Sequence, residues 1–324
     1  MAMLKGTARD RLLAITVLWA VSLVWGTSFV AIKIAAERFD AVAIAAVRVG
    51  IAAACLVLFC LLKRETFYPK AGLLIRLVSI AIFGQIVPFV CLGIGGALAS
   101  SGGLAVMMGF APLATLLIGR LCVSGENWTT TKWIALLVGF SGLSLSVNGS
   151  ISEWRTILET PTAELQGRLY ALVAAVGYAF GAVMAKRVSG DIPPLATCAF
   201  TMLVSTAILG SIGIATGASI DSGDERTWIA LVCLGVVNTA VAYGLYYRLI
   251  AFAGATFASL NNYLVPLVGL LAGYAILDER FGMGTMVGLV LVLCGILLFS
   301  RSVSAPALKA RGETAPRRLP PNDI

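Results

Sequence analysis

Residues 12–35 read LLAITVLWAVSLVWGTSFVAIKIA, an apolar run whose single charge, Lys33, stands two positions before its end. A bilayer core takes about 20 consecutive apolar residues as helix, so this stretch is long enough to cross. It lacks the alternation of apolar and polar positions that a membrane-barrel strand requires. Lys5, Arg9 and Arg11 precede it, and no A-x-A site comes before the next polar loop. The run is too long for a signal-peptide core, and it reads as a retained first membrane helix.

The same signal recurs along the chain. Of 324 residues, 59% are hydrophobic and 12% charged, against an apolar share of roughly 45–50% in soluble domains, which excludes a soluble globular domain. Charges, Gly/Pro turns and polar clusters divide the sequence into ten expected spans. They run approximately over 12–35, 41–62, 77–98, 102–121, 133–148, 169–185, 194–215, 228–247, 255–277 and 282–299, the fifth and sixth being short. The predicted class is an all-α integral membrane protein with ten transmembrane helices.

The formal charge of +8, read alone, suggests nucleic acid, but the positions of the charges say otherwise. With the N-terminus placed in the cytoplasm, the alternating loops put 17 Lys/Arg inside and six outside, with the opposite bias for acids. This is the asymmetry that orients membrane proteins. The expected location is the cytoplasmic membrane, multi-pass, with both termini cytoplasmic. The partners expected are the lipid bilayer and a small-molecule substrate, without nucleic acid. Monomer and homodimer both stay open.

A shift of 153 residues superposes landmarks of the two halves: Lys33 on Lys186, Gln85 on Asn238, Glu126 on Glu279 and Gly142 on Gly295, with Pro112 and Pro266 one residue out of step. Each half has five expected spans. An odd number makes equivalent spans enter from opposite sides, the inverted repeat of many secondary transporters, whose substrate sits near the midplane. The expected organisation is a cytoplasmic N-terminus over 1–11, a first repeat over 12–148 and an external linker over 149–168. A second repeat over 169–300 and a disordered, basic, proline-rich tail over 301–324 complete it.

Several motifs resemble the EamA-type branch of the drug/metabolite transporter superfamily. They are WGTSFVAIK (25–33), AAVRVG (45–50), GFAPLATLL (109–117), SGEN (124–127) and YLVPLVGLLAGYAILDER (263–280). The resemblance covers essentially residues 12–300 and implies a ten-helix exporter of small metabolites. The aromatic content of the inner helices is most similar to the aromatic amino-acid exporters. The chain departs from the family where Tyr178-Ala179 replaces a frequent Trp-Ala.

Polar side chains at bilayer depth are costly and point to function or to interhelical hydrogen bonds. The candidate substrate-binding residues are Trp25, Gln85, Met108, Tyr178, Asn238, Tyr243, Asn262 and Tyr263, amides for the polar groups of an amino acid and rings or thioethers for its body. Arg48, alone within a span, is a candidate gate, anion contact or structural charge. Pro112 and Pro266, each lacking a backbone donor, are candidate hinges, and Glu126 and Glu279 read as residues that fix helix ends.

The chain has no histidine, so the usual base, proton shuttle and metal ligand are missing, and no cofactor or metal is expected. The seven cysteines, with no C-x-x-C pair, read as membrane-buried hydrophobes. No Asp or Glu falls mid-span, so efflux driven by the substrate gradient is expected rather than strong ion coupling. An exporter of amino acids, aromatic or other neutral, working by alternating access is the leading reading. An exporter of another drug or metabolite class, a channel and a membrane-embedded enzyme are the alternatives.

Overall fold

Apolar side chains cover the outside of this molecule as well as its interior. Leu62, Ile75, Leu137, Ile214 and Met283 are all more than half exposed, as expected of helices whose outer solvent is lipid. The computed structural model describes residues 8–65, 69, 71–122, 130–148, 163–188, 191–218, 223–253 and 261–310, and among them every regular element is helical. Seven helical stretches are long and apolar enough to cross a membrane: Leu12–Ala35, Ala41–Leu62, Ala71–Leu98, Ser101–Gly119, Ala163–Ala185, Pro194–Thr216 and Glu225–Tyr246. Leu264–Leu277 and Met283–Gly295 are shorter apolar helices.

The helices are α1 (Ala8–Ala35), α2 (Ala41–Leu62), α3 (Leu74–Ala81) and α4 (Val87–Leu98), the last two joined by a π-helical turn, Ile82–Ile86. Then come α5 (Ser101–Met108), α6 (Ala111–Cys122), α7 (Thr130–Asn148), α8 (Ala163–Val188) and α9 (Pro194–Thr216). A second π-helical turn, Val236–Val241, joins α10 (Glu225–Gly235) to α11 (Ala242–Ala253), and α12 (Asn261–Leu277) and α13 (Met283–Ala310) complete the chain. Local chemistry places several ends. Asp224 accepts the Thr227 N–H at 2.9 Å to start α10, a bond that holds its carboxyl below the usual carboxylate range. Gly217, at φ 67°, closes α9 in the left-handed conformation that a glycine adopts without strain.

Four boundaries differ from the expected ones. The first helix starts at Ala8, before residue 12, and the linker expected over 149–168 ends when α8 begins at Ala163. The last helix continues past residue 300 to Ala310, while 149–162 and 311–324 lie outside the described residues. The common reason is that hydrophobicity marks where a helix leaves lipid, not where its backbone bonds stop. The fourth expected span is divided at Gly109–Phe110 between α5 and α6. There the Phe110 N–H turns back to Met107 O at 3.1 Å, just before Pro112, which has no N–H to continue the ladder. At Pro266 the expected discontinuity is absent: α12 runs through it. One missing donor is tolerated in a membrane helix when a neighbour packs alongside, and α12 packs along α1.

α2 packs on α9, α4 on α8 and α7 on α13. Glycines set the closest approaches. A Cβ on Gly142 of α7 would lie 2.7 Å from Gly288 O, and one on Gly295 of α13 would lie 2.7 Å from Ala135 O. Small residues of α7 and α13 thus pack against each other within one chain.

Candidate functional site

A cavity of about 360 Å³ lies among α1, α2, α4, α5, α6, α8, the second π-turn, α11 and α12. Six aromatic side chains contribute to the wall. Trp25 of α1 stands edge-on to Tyr243, ring centroids 5.9 Å apart, and 5.0 Å from Tyr246. On the facing side Phe89 of α4 meets Tyr178 of α8 at 5.9 Å, edge to face. These separations are those of favourable aromatic pairs, so the rings hold one another in place.

Two polar groups of this wall come from one irregular turn. The π-turn Val236–Val241 releases the α-helical register, and the Thr239 hydroxyl donates to Leu234 O at 2.7 Å, five residues back, occupying a carbonyl that register loses. Its oxygen then accepts from Arg48 Nε at 2.9 Å. Arg48 is 6% exposed, and its guanidinium carbon lies 4.3 Å from the centroid of the Phe89 ring, a cation–π distance. Asn238, in the same turn, donates its amide N–H to Val24 O on α1. Across the cavity, Ser22 donates to Asn261 Oδ1 at 2.7 Å.

Of the residues singled out from sequence, Trp25, Arg48, Met108, Tyr178, Asn238, Tyr243 and Pro266 all line this one cavity. Gln85 does not. It sits in the first π-turn, Ile82–Ile86, donates to Thr201 Oγ1 at 2.7 Å and accepts from Ser205 Oγ at 2.9 Å. Both ends of its amide are bonded to α9, so it ties helices together, and it is not among the residues that line the cavity. The side chains of Asn262, Tyr263 and Pro112 lie outside the described residues, as does Glu126. Phe89, Tyr246 and Asn261 line the cavity without having been singled out, and Thr239 positions Arg48. Helical period was the available signal for Asn261, since Asn261 and Val265 share a face four residues apart with a cavity between them and α1.

A second polar cluster closes the bundle at one end. The chain breaks at Ala99–Ser100, and the exposed N-terminus of α5 is capped by two carboxylates from elsewhere in the chain. Glu164 of α8 accepts the Ser100 N–H and hydroxyl, both at 2.9 Å, and is held by Arg168 at 2.8 Å. Glu279, after α12, accepts the Ser101 N–H at 2.9 Å and its hydroxyl at 2.7 Å. Lys33 donates to Ala99 O at 2.9 Å, the C-terminal carbonyl on the other side of the break. Anions at a helix N-terminus and a cation at a C-terminus satisfy groups with no intrahelical partner. These contacts connect residues 33 and 99–102 to residues 164–168 and 279, across the two halves.

The EamA-like transporter family model matches residues 12–148 and 165–301, almost the segments delimited by the repeat shift. An uncharacterized transporter of Archaeoglobus fulgidus is 28% identical over 281 residues, covering 86% of this chain and 95% of that protein. The uncharacterized inner membrane transporter YedA of Escherichia coli is 25% identical over 312 residues, 90% of this chain and 94% of its own length. A WAT1-related chloroplastic protein of Arabidopsis thaliana is 26% identical over 299 residues, 87% of this chain and 68% of that protein. One crystal structure superposes with a TM-score of 0.62 at 17% identity over 93% of this chain and 99% of its own, a likeness of fold.

Proposed function

This chain belongs to the EamA-like transporter family, and from that premise we propose that it is an inner-membrane exporter of small metabolites, foremost amino acids with aromatic or other neutral side chains. Transport proceeds by alternating access, with ten membrane-crossing helices arranged as two inverted repeats rocking about the central cavity.

The observation that carries the reading is the cavity itself. Its volume, about 360 Å³, is within the range of small-molecule sites, roughly 300–1,000 Å³. Its walls join aromatic surface to a few fixed polar groups, and both halves of the chain contribute. The inverted-repeat arrangement is supported by reciprocal contacts under the 153-residue shift. Gly142 approaches Gly288, and its counterpart Gly295 approaches Ala135, the counterpart of Gly288. The two π-turns also fall at corresponding places, around Gln85 and Asn238. In such an arrangement the α5 cap, with Glu164, Glu279 and Lys33, is the closed outer gate. Among the described residues no Asp or Glu lines the cavity, which favours efflux down the substrate gradient over ion coupling.

The experiment is efflux from proteoliposomes loaded with a mixed amino-acid pool and read by mass spectrometry, with and without pH and sodium gradients. We expect selective loss of a few neutral species, insensitive to either gradient. Retention of every species relative to empty liposomes removes the amino-acid reading, and accumulation that requires a gradient removes the uncoupled one.

A further inference from the structure

We propose that Arg48 is an anion subsite of the cavity and that the cargo class is a monocarboxylate with an apolar or aromatic body, recognised without need of an α-ammonium group. The inference rests on the cavity being the transport site and specifies which chemistry that site takes.

A guanidinium carries five N–H donors. At Arg48 the described contacts are one donor bonded to Thr239 and the stack on Phe89, neither of which neutralises a charge. The ion pairs among the described residues are Lys33–Glu279, Arg168–Glu164 and Arg226–Glu37, so Arg48 has no carboxylate partner there. Its Nη atoms make no hydrogen bond among the described residues, and neither is sealed away as an unpartnered buried atom. They are donors facing cavity space.

The equivalent junction under the repeat shift provides the comparison. The repeat shift carries Arg48 onto Thr201 and Asn238 onto Gln85. At that equivalent junction the helix of one half meets the π-turn of the other through neutral partners: Gln85 is bonded to both Thr201 and Ser205. Packing at this junction therefore does not require a cation. The arginine is a departure confined to the junction that lines the cavity, and among the described residues it leaves donors unspent.

A buried, uncompensated cation is costly, and one negative charge brought beside it with matching hydrogen bonds lowers that cost. A carboxylate fits the planar fork of the guanidinium. The rest of the lining is aromatic, aliphatic, thioether, hydroxyl and amide, with no acid among the described residues. A zwitterion seats its carboxylate on Arg48 and leaves its ammonium only neutral partners, ring faces and hydroxyl and amide oxygens. A 2-oxo acid of the same body gains the first contact and needs no second. An organic amine meets a like charge.

The test uses the purified full chain and three probes sharing a phenyl body: phenylpyruvate (anion), phenylalanine (zwitterion) and phenethylamine (cation). Binding is read from tryptophan fluorescence, since Trp25 forms part of the wall. We expect phenylpyruvate to bind at least as tightly as phenylalanine, and phenethylamine at least about tenfold more weakly than phenylpyruvate. Arg48→Gln should weaken phenylpyruvate at least about tenfold, while Arg48→Lys keeps the order of the three probes. Binding of phenethylamine within about threefold of phenylpyruvate, an Arg48→Gln affinity unchanged for the anion, or saturable binding of none of the three overturns the proposal. The wild-type series needs no variant to fold. A chain that passes it yet moves no solute in liposomes loses the transport reading and keeps the anion subsite. One that moves solutes without regard to charge loses only the subsite.

Discussion

Gln85 and Arg48 are the same kind of signal in the sequence, a polar group at bilayer depth, and the fold gives them opposite fates. Gln85 is 4% exposed with both ends of its amide bonded, whereas Arg48, almost equally buried, bonds only through Nε among the described residues. Gln85→Ala removes a partner from Thr201 and from Ser205 and should cost about 1–3 kcal/mol of stability. It should lower the thermal transition in detergent while leaving transport per folded molecule and the order of substrates intact. A change in substrate order at normal stability would return Gln85 to the site. What the sequence could show at this scale was that a polar residue at depth must find a partner. Which partner it found depends on the rotation of α9, and that rotation is a property of packing.

At the scale of elements, glycine decides how closely helices approach. A Cβ at Gly142 meets Gly288 O at 2.7 Å and Leu291 Cβ at 2.8 Å, backbone and near-backbone atoms that cannot swing aside. Gly142→Leu should therefore destabilise the α7–α13 pair by about 1–3 kcal/mol or more, read as a drop in the unfolding temperature. Gly119→Ala is the control: nothing lies within 4 Å of a Cβ there, and the same measurement should hardly move. The pairing of 142 with 295 was legible as a repeat landmark, and the Gly/Ala spacing of the fifth and tenth spans was legible as a close-contact face. That the two faces meet each other inside one chain was not, because a small-residue stripe looks the same whether its partner is intramolecular or a second copy. The π-turns were likewise hidden. Pro88 follows the first, but no proline marks the second, whose register is fixed by the Thr239 hydroxyl.

At the scale of the whole molecule, the α5 cap is where one half grips the other. The carboxylates of Glu164 and Glu279 replace the missing partners at that helix start, each contact being worth about 1 kcal/mol by analogy with N-cap substitutions. In the double variant Glu164→Gln and Glu279→Gln, the neutral amides hold the same N–H groups more weakly. The population open at that end should rise about tenfold. Maleimide labelling of a cysteine placed at cavity-lining Ser28, in a background with the native cysteines replaced, measures it from the outer face. An unchanged labelling rate would mean that the cap fixes α5 without acting as a gate.

The chain on its own determined the all-helical membrane class, the repeat spacing that the family match follows, and seven of the residues that gather at the cavity. These follow from one-dimensional physics: the transfer cost of a charge or an unsatisfied backbone group in lipid is written residue by residue, and so is periodicity. Tertiary structure alone decided that Gln85 turns to α9 rather than to the cavity and that α5 breaks from α6 while α12 passes through Pro266. It also decided that Arg48 rests on Thr239 and Phe89, with no carboxylate partner among the described residues. Each of these depends on how helices rotate about their axes and which neighbour stands opposite, and that is settled by close packing among elements far apart in sequence.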